Sequence, residues 1–246
     1  MSVSSKIEWT DITWNPVTGC TKCSEGCVNC YAARYSSRLK KMGLYKYRNN
    51  FKLTMHEDTL DIPNHIRKPK YIFVNSMSDL FHEDVSLSFI VRVFDTIRSN
   101  PMHTFQLLTK RPNRMVKLKN YLVWPKNLWV GVTVESQKYF SRILKLQEIP
   151  ATIKFISFEP LLGPIQLGKL ENIDWIIVGG ETGPSYRPMD YEWVIQLRDF
   201  SIENGIPFFF KQWSGFFGSK QPRCIDGKYW HERPLPSNPQ EGFIKQ

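Results

Sequence analysis

Cysteine, histidine and long apolar runs are all in short supply in this chain of 246 residues. No stretch approaches the roughly 20 consecutive apolar residues that a membrane helix needs, so a membrane-spanning reading is set aside. The opening Met1-Ser-Val-Ser-Ser-Lys-Ile-Glu-Trp lacks an apolar signal-peptide core. A cytoplasmic location follows as the expectation, with thiols kept reduced. Acidic residues are outnumbered, 23 against 33 basic ones, for a formal charge of +10 and a pI near 9.4. That imbalance suits a polyanionic partner such as nucleic acid. No recognised nucleic-acid-binding motif accompanies it, and an incidentally basic surface explains the charge equally well. Hydrophobic residues at 41% and charged residues at 23% fit a globular protein with a sizeable core. The length suits one α/β barrel, which commonly takes about 200 to 250 residues.

What cysteine there is stands together. Four of the five fall within Gly19-Cys20-Thr21-Lys22-Cys23-Ser24-Glu25-Gly26-Cys27-Val28-Asn29-Cys30-Tyr31. Thiolates packed this closely on one segment are positioned to converge on a metal rather than to pair as disulfides. Cys23, Cys27 and Cys30 spell C-x3-C-x2-C, which can take three corners of a cubane and leave the fourth iron without a protein ligand. The competing reading is a four-cysteine zinc site, C-x2-C-x3-C-x2-C. Structural zinc sites usually separate their two C-x2-C knuckles by a dozen or more residues, and here only three intervene. Cys224 is isolated and reads as a bystander thiol.

At these residues the chain resembles the radical S-adenosylmethionine enzymes. The resemblance implies a four-iron four-sulfur cluster whose open iron takes S-adenosylmethionine, reductive cleavage to a 5'-deoxyadenosyl radical, and an electron donor such as flavodoxin or ferredoxin. More narrowly, the chain is similar to a phage-associated and prokaryotic family of radical-S-adenosylmethionine-like "three-Cys-motif" proteins of poorly defined function. The matching stretches are Ile7-Glu-Trp-Thr, Trp14-Asn-Pro-Val-Thr-Gly-Cys20, Gly26-Cys-Val-Asn-Cys-Tyr-Ala32 and Ile72-Phe-Val-Asn-Ser-Met-Ser-Asp-Leu-Phe-His-Glu83. They continue with Leu108-Thr-Lys-Arg-Pro112, Phe158-Glu-Pro-Leu-Leu-Gly163, Val178-Gly-Gly-Glu-Thr-Gly183 and Phe208-Phe-Phe-Lys-Gln-Trp213. This family's pattern implies Cys20, Cys27 and Cys30 as the ligands, whereas the general radical pattern selects Cys23, Cys27 and Cys30. A partner protein encoded nearby is a further implication.

Taken in order, apolar runs near residues 7, 71, 105, 129, 154, 175 and 208 alternate with helical patterns, and this predicts an α/β, partial (β/α)6-7 barrel of the radical S-adenosylmethionine type. A doubly wound open sheet is the alternative. The first strand is expected over Ile7 to Trp14, delivering the cysteine loop. Tyr31 to Met42 reads as a helix whose Arg34, Arg38, Lys40 and Lys41 form a solvated face or line a phosphate groove. Residues 43 to 69 read as an irregular excursion, with His65 a packed or surface histidine. Helices are expected over Ser86 to Ser99, Gln137 to Gln147 and around Trp193 to Phe200. Residues 1–213 form the barrel, and 214–246 an ordered cap, since Trp230 and Phe243 suit no solvated linker.

Nearly every strand closes on polar residues or glycine, and strand ends of a barrel gather at one mouth. Ser76-Met-Ser-Asp79 stands where related enzymes carry the element that binds the cofactor's amino group, which the resemblance implies for Asp79 with Ser78 beside it. An N-cap role for Ser78 or Asp79 stays open. Lys110 and Arg111 can hold a carboxylate or a substrate phosphate, or form a surface pair. Glu135 can accept hydrogen bonds from a ribose. Gly179 and Gly180 beside Glu181 allow close approach to a ligand. Two functions remain open: a radical S-adenosylmethionine enzyme acting on DNA ahead of RNA, or on a nucleotide, in modification or repair; and a non-catalytic, zinc-bound nucleic-acid-binding protein.

Overall fold

The chain's apolar runs become strands of one curled sheet in the computed structural model, which describes residues 3–5, 7–216 and 222–235. β1 (Val3–Ser4) turns at Glu8 and Trp9 into β2 (Ile12–Trp14), and a short pair follows, β3 (Val17–Thr18) with β4 (Thr54–Met55). The sheet then continues through β5 (Tyr71–Val74), β6 (Thr104–Thr109), β7 (Leu128–Thr133), β8 (Ile153–Phe158), β9 (Trp175–Gly179) and β10 (Phe208–Gln212). Its order is β1-β2-β5-β6-β7-β8-β9-β10. All neighbours from β2 onward are parallel, and β1 alone is antiparallel. Each parallel strand pairs with the next one in the chain, so the order never reverses. That excludes the doubly wound sheet and gives a seven-stranded half-barrel, as the α/β partial barrel expectation has it.

The helices α1 (Tyr31–Lys41), α2 (Leu87–Ser99), α3 (Pro112–Leu118), α4 (Ser141–Gln147) and α5 (Tyr191–Glu203) connect the strands. In α2, Ser86 caps the first turn by accepting from the Phe89 N–H at 3.3 Å, and Phe89, Ile90, Val93, Phe94 and Ile97 form the buried stripe. No helix among the described residues is long and apolar enough to cross a membrane.

Period-two alternation sorts the strand residues into two cores. One face gives Ile72, Val74, Leu107, Val130, Ile156, Val178 and Phe210 to the larger core with the helices. The other gives Phe73, Trp129, Phe155, Trp175, Ile177 and Phe209 to an aromatic plug inside the curl. A Cβ on Gly131 would sit 2.4 Å from the Phe155 ring, so this strand position must be glycine for the plug to close. Trp9 completes the plug from the turn after β1, edge-on to Phe73 at 4.6 Å and to Trp175 at 6.1 Å. Buried Gln106 fixes that turn by donating to the Trp9 carbonyl at 3.1 Å. Burying one such ring accounts for about 3–5 kcal/mol by the cost of truncation.

Several sequence boundaries move. The first strand is shorter than Ile7 to Trp14, because Glu8 and Trp9 form a turn that serves the plug. The helix expected from Gln137 is a 3-10 turn followed by α4. Residues 43–69 hold β4 and three 3-10 turns, with His65 exposed and paired to Asp61. After β10 come β11 (Cys224–Ile225) and β12 (Lys228–Tyr229). The chain then runs beside β10: Phe210 N donates to the Trp230 carbonyl at 2.8 Å and Trp175 Nε1 to that of Glu232 at 2.9 Å. Phe243 and the rest of 236–246 lie outside the described residues.

Candidate active site at the mouth of the half-barrel

Residues beyond the ends of β2 and β5 interlock to carry the cysteine loop. Asn15 Oδ1 accepts from Met77 N at 3.0 Å and Ser76 Oγ at 3.2 Å, while Asn75 Oδ1 accepts from Val17 N at 3.1 Å. Ser78 Oγ donates to the Val17 carbonyl at 2.8 Å and Gly19 N to that of Met77 at 3.0 Å. Gly19 has φ +81°, and a Cβ there would stand 2.3 Å from the Lys52 carbonyl oxygen. Only glycine fits this entry to the loop.

The four loop cysteines are free thiols; Cys20, Cys27 and Cys30 are half-buried and Cys23 is exposed. The Cys23 thiol hydrogen-bonds the Cys27 sulfur, which holds Cys27 down at about 4 and pushes Cys23 up. Burial, aided by the negative charge of Asp79, pushes the Cys20 thiol up to about 11. Among the described residues no three Cys, His, Asp or Glu side chains group tightly enough to hold one metal ion. Four free thiols on one loop, three of them half-buried, are a donor set of the chemistry that an iron–sulfur cluster takes.

Each carboxylate singled out in the sequence meets this loop or the strand end beside it. Glu135, fully buried, accepts from Ser24 Oγ in the loop, pairs with Arg142 Nη1 at 2.7 Å, and lies 3.7 Å from Lys110 Nζ. A Cβ on Gly26 would meet the same carboxylate at 2.6 Å, so the loop backbone lies directly against it. Glu181 accepts from Asn29 Nδ2 at 3.0 Å, and from Arg187 Nε at 2.9 Å and Nη2 at 2.6 Å. Arg187 in turn donates to the Glu25 carbonyl at 3.0 Å. Burial pushes the Glu181 carboxyl up, but the hydrogen bonds from Arg187 and Asn29 outweigh it and hold it below the usual range. Asp79 starts no helix. It accepts from Phe81 N at 3.0 Å, Thr109 Oγ1 at 2.8 Å and Lys110 N at 3.0 Å, tying the turn after β5 to the end of β6.

The two glycines expected to admit a ligand serve packing. The space of a Cβ at Gly179 is filled by the Glu159 carboxylate at 2.7 Å, and at Gly180 by the Ser214 backbone N at 2.2 Å. Three groups that sequence reasoning passed over or left open complete the mouth. Arg111 Nη2 donates to the Thr21 carbonyl at 3.0 Å, and Arg142 and Arg187 neutralise the buried carboxylates. Lys211 Nζ pairs with Glu159 at 2.7 Å, and Ser157 Oγ donates to the same carboxylate at 3.1 Å. Their place where apolar runs close on polar residues is the sequence signal for Glu159 and Lys211. Of the α1 cations, Arg34 donates to the Thr182 carbonyl at 2.9 Å, and Arg38, Lys40 and Lys41 are exposed.

A parallel half-barrel with a cysteine-rich loop bound across its strand ends defines the class by fold: an α/β partial barrel. Within it, the chain belongs to the family described as "Protein of unknown function (DUF5131)", which matches residues 4–234. Among solved structures, spore photoproduct lyase with bound AdoMet and dinucleoside spore photoproduct is similar at 12% identity and a TM-score of 0.50. The likeness covers 73% of this chain and 58% of that one. A variant of the same lyase with dinucleoside spore photoproduct gives 12%, 74%, 58% and 0.50. The chain thus spans less than two thirds of the length of these neighbours. No curated protein matches in sequence.

Proposed function

We propose that this protein is a radical S-adenosylmethionine enzyme acting on a nucleic acid or nucleotide, DNA ahead of RNA. Cys20, Cys27 and Cys30 hold the four-iron four-sulfur cluster, with Cys23 the alternative to Cys20. A cluster held by these cysteines would supply the electron for reductive cleavage of S-adenosylmethionine to a 5'-deoxyadenosyl radical able to take hydrogen from a substrate. The observation that carries this reading is the mounting of the loop. Glu135 and Glu181, from the ends of two different strands, brace a segment of four unpaired cysteines over the open end of the half-barrel.

The chain's own residues have separable tasks. Glu135 and Glu181 hold the loop through the side chains of Ser24 and Asn29, and Asp79 ties the turn after β5 to the end of β6. Ser78 and Lys110 stand at the same mouth, and the Lys110 ammonium retains donors for the cofactor's carboxylate beyond its distant pair with Glu135. Gly179 and Gly180 let Glu159 and residue 214 close in on that side. The likeness in fold to a lyase seen with AdoMet and a dinucleoside favours both the cofactor and the substrate class. The described residues beyond 213 act as a cap along β10, and an electron donor such as flavodoxin or ferredoxin completes the system.

Anaerobic reconstitution with iron and sulfide, followed by reduction with S-adenosylmethionine present, tests the reading through release of 5'-deoxyadenosine. A reduced cluster that leaves the cofactor intact would overturn it. Cys20→Ala and Cys23→Ala assign the third ligand: the true ligand's loss lowers bound iron and removes the broad cluster absorbance, and the other's does not.

A further inference from the structure

Beside Cys23 a cavity of about 320 Å³ opens between the cysteine loop and the starts of α3 and α4. Its wall carries Lys110, Arg111, Arg114 and Arg142 against one carboxylate, Glu83. Part of this charge is matched internally: Arg111 pairs with Glu83, while Lys110 and Arg142 share Glu135. Among the described residues Arg114 meets no carboxylate, and its Nη2 donates to the Val85 carbonyl at 2.6 Å. Four cations therefore face two carboxylates, Glu83 and Glu135, and the net positive wall suits an oxyanion, planar guanidinium groups matching phosphate in particular.

We infer that this cavity is a phosphate site that anchors a nucleotide, or one phosphate of a nucleic-acid strand, beside the cysteine loop. The volume lies at the lower end of the roughly 300–1,000 Å³ of small-ligand sites, which suits one phosphorylated sugar. The inference rests on the proposed function for its substrate class, but its test does not depend on radical chemistry.

The test measures binding of three probes to the full-length, anaerobically purified protein: thymidine, thymidine 5'-monophosphate and a twelve-residue oligo(dT). Thymidine is expected to bind at least about tenfold more weakly than the probes that carry phosphate. Tight binding of the monophosphate marks a nucleotide site, whereas binding of the strand alone marks a backbone contact. Arg114→Ala should weaken the phosphate-bearing probe about tenfold. Ser141→Glu provides the second variant: Ser141 lines the cavity, is exposed and opens α4. An acidic residue is well tolerated in a first turn, so the variant should fold while repelling phosphate, and Ser141→Gln should bind normally. Arg38→Ala, which removes an α1 cation outside the cavity, controls for general surface charge. Equal binding of thymidine and its phosphate, or equal loss with Arg38→Ala and Arg114→Ala, overturns the site. If these variants behave as expected but no 5'-deoxyadenosine forms, the phosphate site stands and the enzyme reading falls.

Discussion

Glu135 shows how much one side chain carries. It has no exposure, and its partner Arg142 keeps only 9% of its side-chain surface. Removing one member of a buried ion pair leaves the other uncompensated, at about 3–5 kcal/mol. Glu135→Ala should therefore lower the unfolding free energy from urea titration by that much and reduce bound iron after reconstitution, because Ser24 loses its anchor. Glu135→Gln, which keeps an acceptor of the same shape, should cost less. Unaltered stability and iron content with weakened S-adenosylmethionine binding would make Glu135 a cofactor contact instead of a brace. The sequence marked Glu135, Asp79 and Glu181 because each follows an apolar strand. It did not reveal their task, since Arg142 and Arg187 belong to no motif and read as ordinary surface cations until the fold turns them inward. Gly180 misled for a related reason: a missing Cβ announces a close approach without saying whether a ligand or the chain's own backbone fills the space.

Among elements, the two-residue ladder of β3 and β4 was invisible in the sequence, because pairs so short have no periodicity to detect. Its integrity rests partly on His56, just after β4, which is 7% exposed and hydrogen-bonded through Nε2 to Thr18 Oγ1 at 2.8 Å. Burial, reinforced by nearby Lys46, depresses its pKa from 6.5 to about 4. The unfolded chain therefore binds the extra proton between those values, so stability is full above pH 6.5 and declines as pH falls toward 4. This one group contributes up to about 3 kcal/mol of that loss. Denaturant midpoints at pH 7 and pH 5 should differ less in His56→Gln than in the parent. A second element-level test concerns β9 and the segment after β10. Gly180→Ala drives a methyl into backbone rather than into a movable side chain. It should cost at least the roughly 1–3 kcal/mol of overpacking, read as a lower melting temperature. The seven strands themselves were legible because parallel strands buried on both faces read as continuous apolar runs. The seven-residue α3 was not, since a Pro-led segment with three basic or polar residues in its first turns resembles a loop.

For the whole molecule, the curl of the sheet separates two ends with different work. Trp9, Phe73, Trp129, Phe155, Trp175 and Phe209 fill one end with aromatic rings, while the loop and its carboxylates occupy the other. Neither the plug nor its dependence on Trp9 could be read locally, because its rings come from five separate strands and one turn. The loop is fastened to β6 through Arg111 and Thr21, to the end of β7 through Glu135 and Ser24, and to the end of β9 through Glu181 and Asn29. Ligation there should consequently stabilise the barrel as a unit and not the loop alone. A ligand at 1,000 times its dissociation constant adds about 4 kcal/mol, and a domain of this size gains about 2–4 °C per kcal/mol. Anaerobic reconstitution should raise the single melting transition by on the order of 10 °C, followed by circular dichroism of the barrel helices. A transition unmoved by iron loading, with protease protection confined to residues 19–30, would mean that the fastenings do not couple the loop to the barrel.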